Sequence, residues 1–193
     1  MAKDIKEIER IWILPEMPPE ELTIHKIPHL ISYIFSEKEG EMRVVSRYLP
    51  EEDDSLNNLP FIKKDGEKQV VGRFFLTVKS RGDMVRDEWE DKNLPEWAYK
   101  ILAAQAVCGI LKTRHFIKYN NYTLEVDEYS TRFFGVKRVS NDIKGKVRLE
   151  CEFASEEEAN RFKLPEWAKG AVEVTFRRDF KNSIIASEGW PKE

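Results

Sequence analysis

A chain of 193 residues with 41% hydrophobic and 11% aromatic content is long enough for one well-packed domain, and length alone does not demand a second. Charged residues make up a high 35%, but the signs nearly cancel to a formal net charge of -3, which argues against a general nucleic-acid grip while permitting a local basic site in acidic surroundings. No apolar run approaches the roughly 20 residues that span a bilayer, and the charged stretch Met1–Arg10 does not read as a signal peptide.

In chain order, Ile5–Leu14 is predicted to be a strand, with Ile8, Trp12 and Leu14 on one face and Glu7 and Glu9 on the other; Arg10 is the exception on the apolar face. Pro15–Pro19 ends it. A mixed stretch with Pro28 leads to strands over Leu30–Ser36 and Glu41–Tyr48, turning through Glu37–Gly40. Pro50–Asn58 reads as an acidic loop, followed by a polar stretch at Lys63–Lys68. Arg73–Ser80 and Met84–Glu90 form a hairpin around Arg81-Gly82-Asp83. Asn93, Pro95 and Glu96 predict the start of a helix running to Cys108, with Gly109 as its stop. Strands at Ile110–Lys118 and Tyr122–Tyr129 turn at Asn120-Asn121. A strand over Lys146–Phe153 follows, then a capping box of Ser155 and Glu158, a last strand at Ala171–Arg177, and a short helix through Ser187 capped by Asp179. The string Leu-Pro-Glu-Trp-Ala occurs at Leu94–Ala98 and Leu164–Ala168 and reads as repeated helix-start chemistry, with Trp97 and Trp167 as packing residues. Cys108 and Cys151 lack metal-ligand spacing and read as reduced, buried thiols in a cytoplasmic protein.

The informative pattern is acid–any–acid. It appears as Glu7-Ile8-Glu9, Glu88-Trp89-Glu90, Glu125-Val126-Asp127 and Glu150-Cys151-Glu152, with cations at the same spacing in Lys112-Thr113-Arg114 and with Arg43, Lys79 and Arg86 in similar contexts. Residues two apart on a strand share a face, so each pattern aims two like charges at one side of a sheet. One such pair is usually a solvated face. Four carboxylate pairs confined together would repel without cations, and a sheet carrying both signs could hold divalent metals and a polyanion. The apolar faces would be covered by helices. The charged face either meets bulk water or curls round to line a barrel. His25, His29 and His115 are scattered and suggest no histidine metal site.

These segments come in an order that resembles the CYTH superfamily, the triphosphate tunnel metalloenzymes: Glu7–Arg10, Leu76–Lys79, Arg86–Glu90, Lys112–His115, Leu124–Tyr129, Glu150–Phe153 and Arg178–Ser183. The resemblance covers nearly the whole chain. It implies an α+β fold, an antiparallel β-barrel tunnel with helices packed outside, as a single domain over residues 1–193. It implies metal-dependent hydrolysis of a triphosphate, with inorganic tripolyphosphate the first expectation and thiamine or nucleoside triphosphate the others. Mg²⁺ or Mn²⁺ is the expected cofactor, held by Glu7, Glu9, Glu150 and Glu152 with Asp127 as a further ligand. Glu7, Glu9, Glu88 and Glu90 are the catalytic candidates, with Glu125 beside them as a group orienting metal, water or cations, and Arg43, Lys79, Arg86, Lys112 and Arg114 are expected on phosphate. A monomer or homodimer is expected.

Two positions depart from the family pattern: Ile11 and Val45 stand where cations are usual, with Arg47 and Arg73 of suitable parity to compensate. Pro50–Gly72 and Arg138–Gly145 read as insertions. The departures keep a second expectation open, a binding module with weakened or absent catalysis. A third, an interaction module with a merely solvated charged sheet, would be excluded by a closed tunnel. Lys181 reads as a solvated lysine, with a place at the tunnel mouth as the alternative.

Overall fold

The computed structural model describes residues 5–36, 40–47, 62–65, 68–71, 74–134 and 138–192. The strands are β1 (Ile5–Leu14), β2 (Thr23–Ser36), β3 (Gly40–Arg47), β4 (Ile62–Asp65), β5 (Lys68–Val71), β6 (Phe74–Ser80), β7 (Val85–Asp91), β8 (Cys108–Tyr119), β9 (Tyr122–Phe134), β10 (Arg138–Ser140), β11 (Val147–Glu152) and β12 (Val172–Glu173). The helices are α1 (Glu96–Ala103), α2 (Glu156–Arg161) and α3 (Asn182–Glu188).

Pairing runs β9-β11-β1-β7-β6-β3-β2-β8, and β8 returns to pair with β9. Eight antiparallel strands therefore close on themselves, and the edge problem of an open sheet disappears. The register places Glu9 opposite Glu152 and Ile11 opposite Glu150 on β1 and β11. Glu7 faces Arg86, Lys79 faces Glu88, and Arg114 faces Asp127. Period-two alternation holds at these positions, so their side chains share the inner face, while the register shifts between Thr23 and His25, Tyr33 and Phe35, and Leu111 and Lys112.

The outer face of β1, β9 and β11 carries Ile8, Trp12, Leu14, Leu124, Val126, Leu149 and Cys151, which pack with Ala159, Phe162 and Ala168 from α2 and the segment after it. Arg10, the apparent misfit on this face, is bonded to Glu173 of β12 at 2.5 and 2.8 Å, donates 2.7 Å to the Ala159 carbonyl, and lies over the Trp12 ring. The second core was not expected. Ile31, Tyr33, Val45, Phe75, Cys108, Ile110 and Tyr129 pack with Ile185 and Ala186 of α3. Ile31 is cross-strand from both Val45 and Ile110, so this core lies within the barrel, and α3 closes onto it. Part of the interior is thus an apolar plug. Both cysteines are free and buried, as expected.

Several local expectations need correction. Strand β2 begins at Thr23 and runs through Pro28, rather than starting at Leu30. Helix α1 ends at Ala103, and its N-cap is Pro95 with no side-chain bond; Asn93 instead donates its backbone N–H to Asp91 Oδ1 at 3.0 Å. Gly109 does not stop a helix. It lies in β8 facing Phe133 of β9, where an added Cβ would stand 2.4 Å from the Ile31 carbonyl oxygen, so close approach of strands demands glycine. Asn120 adopts φ 53° in the expected two-residue turn. Asp179 caps no helix and instead takes Arg177 at 2.5 Å, while α3 starts after Lys181. Of the expected last strand, Val172–Glu173 is paired with β1, and Val174 donates one further N–H to the Ile11 carbonyl at 2.9 Å. Trp97 is 67% exposed and is not a packing residue, whereas Trp167 packs against the outer core. Within residues 138–145, β10 pairs with β9 and Ile143 is fully buried. The strands β4 and β5 pair with each other as a separate hairpin. The expected turn at residues 37–39, the loop at 50–58 and the role of Arg73 lie outside the described residues.

The second capping box forms as expected: Ser155 Oγ accepts from the Glu158 N–H at 3.1 Å, and Glu158 returns to the Ala154 N–H at 2.9 Å. Ser155→Ala is expected to lower stability by about 1 kcal/mol, measured by chemical denaturation, with turnover unchanged.

Candidate active site in the tunnel

Every cationic and carboxylate candidate read from the alternation is inside the barrel. Glu7, Glu9, Arg43, Lys79, Arg86, Glu88, Glu90, Lys112, Arg114, Glu125, Glu150 and Glu152 line one cavity of about 240 Å³. Ile11 and Val45 line it too, so both positions are inward. The charged sheet is not a solvated outer surface.

The charges interlock. Lys79 Nζ lies 2.7 Å from Glu7 and 2.9 Å from Glu88. Arg86 donates 2.5 Å bonds to both Glu7 and Glu9. Arg114 binds Asp127 through two 2.8 Å bonds and Glu150 at 2.6 Å, and also pairs with Glu125. Lys112 pairs with Asp127, and Arg43 lies 3.3 Å from Glu41. Glu90 takes Lys92 at 3.2 Å. Asp127 is fully buried with both oxygens taken by Lys112 and Arg114, as both oxygens of Glu7 are taken by Lys79 and Arg86.

This network splits the carboxylates into two groups. Burial raises Glu7, Glu150 and Asp127, but adjacent cations outweigh it and hold all three below the ordinary carboxylate range: Lys79 and Arg86 for Glu7, Arg148 and Arg114 for Glu150, Arg114 and Lys112 for Asp127. Glu9 is pushed up by burial and by repulsion from Glu7 and Glu150 against the pull of Arg86. Burial and the charges of Glu125 and Glu7 push Glu152 up to about 8, although its side chain reaches solvent. Burial likewise raises Glu88 and Glu125. Lys112 is pushed down to about 8, by burial and by Arg114, with Asp127 opposing. Negative charge is therefore under-compensated around Glu9 and Glu152, which oppose each other across β1 and β11.

Sequence reasoning missed several tunnel residues, three of them titratable groups on the barrel strands. Arg148 lines the cavity and pairs with Glu150; its position two before Glu150 was the available signal. Glu41 stands two before Arg43 in the same way and is held low by that arginine despite burial. His29 lines the cavity, but Pro28 beside it concealed the strand. Arg47, noted as a compensating cation, lies inside over the Phe75 ring at 3.9 Å. Lys181, expected to be solvated, reaches Asp83 at 3.0 Å and the Gly82 carbonyl, and also lines the cavity. His115 does not line it; it lies 3.8 Å from Glu128.

The donor chemistry suits a hard divalent ion, since the inward acceptors are carboxylate oxygens and two of them lack full compensation. As the side chains stand, cations occupy the carboxylates, and among the described residues no group of three or more acidic, histidine or cysteine side chains is drawn together as a ready metal cage.

A closed antiparallel barrel with a doubly charged interior and external helices is the triphosphate tunnel fold, the fold that the CYTH resemblance implied. The chain is similar over nearly its full length to two solved structures of NE1496. One is described as a hypothetical protein, at 22% identity and TM-score 0.53, covering 93% of this chain and 97% of that one. The other is described as the inorganic triphosphatase NE1496, at 20% identity and TM-score 0.53, covering 94% and 95%. No family model matches the chain. No curated protein matches it either. At these identities the likeness carries the fold. Among the described residues, no helix is long and apolar enough to cross a membrane.

Proposed function

We propose that the tunnel binds a triphosphate and hydrolyses its terminal anhydride, with inorganic tripolyphosphate as the first substrate and Mg²⁺ or Mn²⁺ as cofactor, and that the chain is a CYTH-type enzyme. One observation carries this reading: Arg43, Arg47, Lys112 and Arg114 on β3 and β8 share one cavity with Glu7, Glu9, Glu150 and Glu152 on β1 and β11. A cation wall suits the phosphate chain, and a carboxylate wall suits the ions that accompany it. The likeness to the inorganic triphosphatase NE1496 supports it.

In this reading Arg43, Lys112 and Arg114 hold the phosphate oxygens and offset charge on the transferring phosphoryl group. Glu9 and Glu152, with Glu7 and Glu150, would hold the metal, which when bound draws charge from the phosphate oxygens and favours attack by water. Water adds to the terminal phosphorus, the bridging P–O bond breaks, and diphosphate leaves. The proton of the attacking water passes to Glu9, whose raised proton affinity suits a general base. Lys79 and Arg86 keep Glu7 ionised and oriented. The test is phosphate release from tripolyphosphate, thiamine triphosphate and ATP with each metal. No release from any of them overturns the hydrolase reading.

A second reading, binding without turnover, is favoured by Ile11 and Val45 at inward positions and by carboxylates already engaged with Arg86, Arg114 and Arg148. Each missing charge-assisted bond corresponds to roughly 1.5–3 kcal/mol. Ile11→Lys with Val45→Arg is therefore expected to raise turnover by roughly tenfold or more, checked by initial rates; rates that do not rise remove this reading.

A further inference from the structure

Several buried polar atoms of the barrel interior lack a hydrogen-bond partner, among them Tyr33 Oη, Arg43 Nε, Arg148 Nε and one nitrogen of an imidazole that sits among the cations. His29 on β2 is cross-strand from Arg47 of β3 and from Lys112 of β8. It is 3% exposed, lines the tunnel cavity, and its Nε2 has no hydrogen-bond partner. The charges that act on it most strongly are positive, Arg43 and Arg47 from β3 and Lys112 and Arg114 from β8, while Glu41 of β3, Glu90 of β7 and Glu125 of β9 line the same cavity. Burial and these four cations hold the imidazole neutral, well below the ordinary histidine range.

A buried nitrogen without a partner is costly, and an apolar side chain would fill the same space without that cost. The neighbours explain what is missing. A ligand that satisfies Nε2 must also be compatible with four adjacent cations, and an anionic oxygen does both. Once an anion offsets those cations, the barrier to a second ring proton falls, and an imidazolium can donate from both nitrogens.

We propose that His29 is an anion ligand of the cation wall, donating from its imidazole to a phosphate oxygen and taking up a proton as the anion arrives. This rests on the tunnel being the triphosphate site but not on turnover. Binding and proton uptake are then linked, so affinity for the anion rises as pH falls through the range where the free ring is neutral. The ligand class is a dense oxyanion such as an oligophosphate, and the wall tightens on it without carrying a fifth permanent charge when empty.

The test uses metal-free protein and tripolyphosphate, which prevents turnover from confusing binding. Calorimetry in buffers of different ionisation enthalpy counts protons, and ¹⁵N shifts of the labelled imidazoles report the ring directly. The His29 signal is assigned by elimination with His25→Gln and His115→Gln, so the central measurement is made on a chain that retains His29. The expected result is a His29 ring that goes from neutral to protonated at saturation. Wild type should take up as much as about one proton per anion more than His29→Gln. His29→Gln should bind roughly tenfold more weakly and lose the part of the pH dependence that the imidazole contributes, leaving that of Lys112. A ring signal that stays neutral at saturation overturns the proposal while leaving the hydrolase reading intact. Binding with proton uptake but no phosphate release in the metal-supplemented assay supports the proposal and overturns the hydrolase reading. No binding of tripolyphosphate, with or without Mg²⁺, overturns both.

Discussion

Arg114→Met is expected to abolish tripolyphosphate binding and to lower stability by about 3–5 kcal/mol, the range for removing one partner from a buried ion pair. The guanidinium satisfies both oxygens of Asp127 at 2.8 Å and reaches Glu150 at 2.6 Å, with Glu125 as a third partner. Asp127 has no exposed surface, so no water replaces the lost bonds. Among the described residues Lys112, itself pushed down to about 8 by burial and Arg114, is the other cation bonded to Asp127, and it cannot restore the full balance. Adding Asp127→Asn to the variant removes the uncompensated charge. The double variant should recover stability relative to Arg114→Met and still fail to bind the anion, because the phosphate contact is gone. Denaturant unfolding and calorimetry on all variants separate the two effects. A single variant that is neither destabilised nor impaired would show that this arginine belongs to neither network.

Glu9→Gln is expected to lower turnover by roughly 10²- to 10⁴-fold, the span of a general base, while leaving the barrel folded. It should also alter how stability depends on pH. Glu9 and Glu152 have folded-state proton affinities above the ordinary carboxylate value of 4.5, and for Glu152 the midpoint rises to about 8. The folded protein thus holds more protons than the unfolded chain between those limits. Their contribution is fully present below about pH 4.5 and is lost as pH rises through the raised midpoint, near 8 for Glu152. Above about pH 6.5, where the neutral buried His29 no longer opposes the trend, metal-free wild type should therefore weaken toward pH 8. Glu9→Gln and Glu152→Gln, permanently neutral there, should each flatten the decline. Mg²⁺ or Mn²⁺ should reverse it in wild type, by about 2.7 kcal/mol when the ion is at a hundred times its dissociation constant. Thermal melts across pH, with and without metal, read all of this. A wild-type profile that metal leaves unchanged would remove these carboxylates from the metal site.

The parts of the fold written in a period of two were legible. Glu7-Ile8-Glu9, Lys112-Thr113-Arg114 and Glu150-Cys151-Glu152 each placed charges inward, because a half-buried strand must alternate. Closure was not legible from alternation alone, since a solvated sheet has the same pattern; the family resemblance supplied it. His29 was hidden because Pro28 suggested a break, whereas β2 carries the proline within a strand paired on both sides. The inner apolar core was hidden for a different reason. Ile31, Val45 and Ile110 share their strands with charged inward residues, so only the register shows that one stretch of the lumen is packed. Gly109 was misread because glycine ends helices and also permits close strands, and only the approach of the Ile31 carbonyl decides between them.

The most direct measurement is a diffraction structure of crystals grown with Mn²⁺ and tripolyphosphate, using the anomalous signal of manganese. The account expects manganese against Glu7, Glu9, Glu150 or Glu152 and the phosphate chain against Arg43, Lys112 and Arg114 within the barrel. Phosphate bound only on the outer surface, with the ion pairs of the lumen intact at saturating ligand, would contradict it.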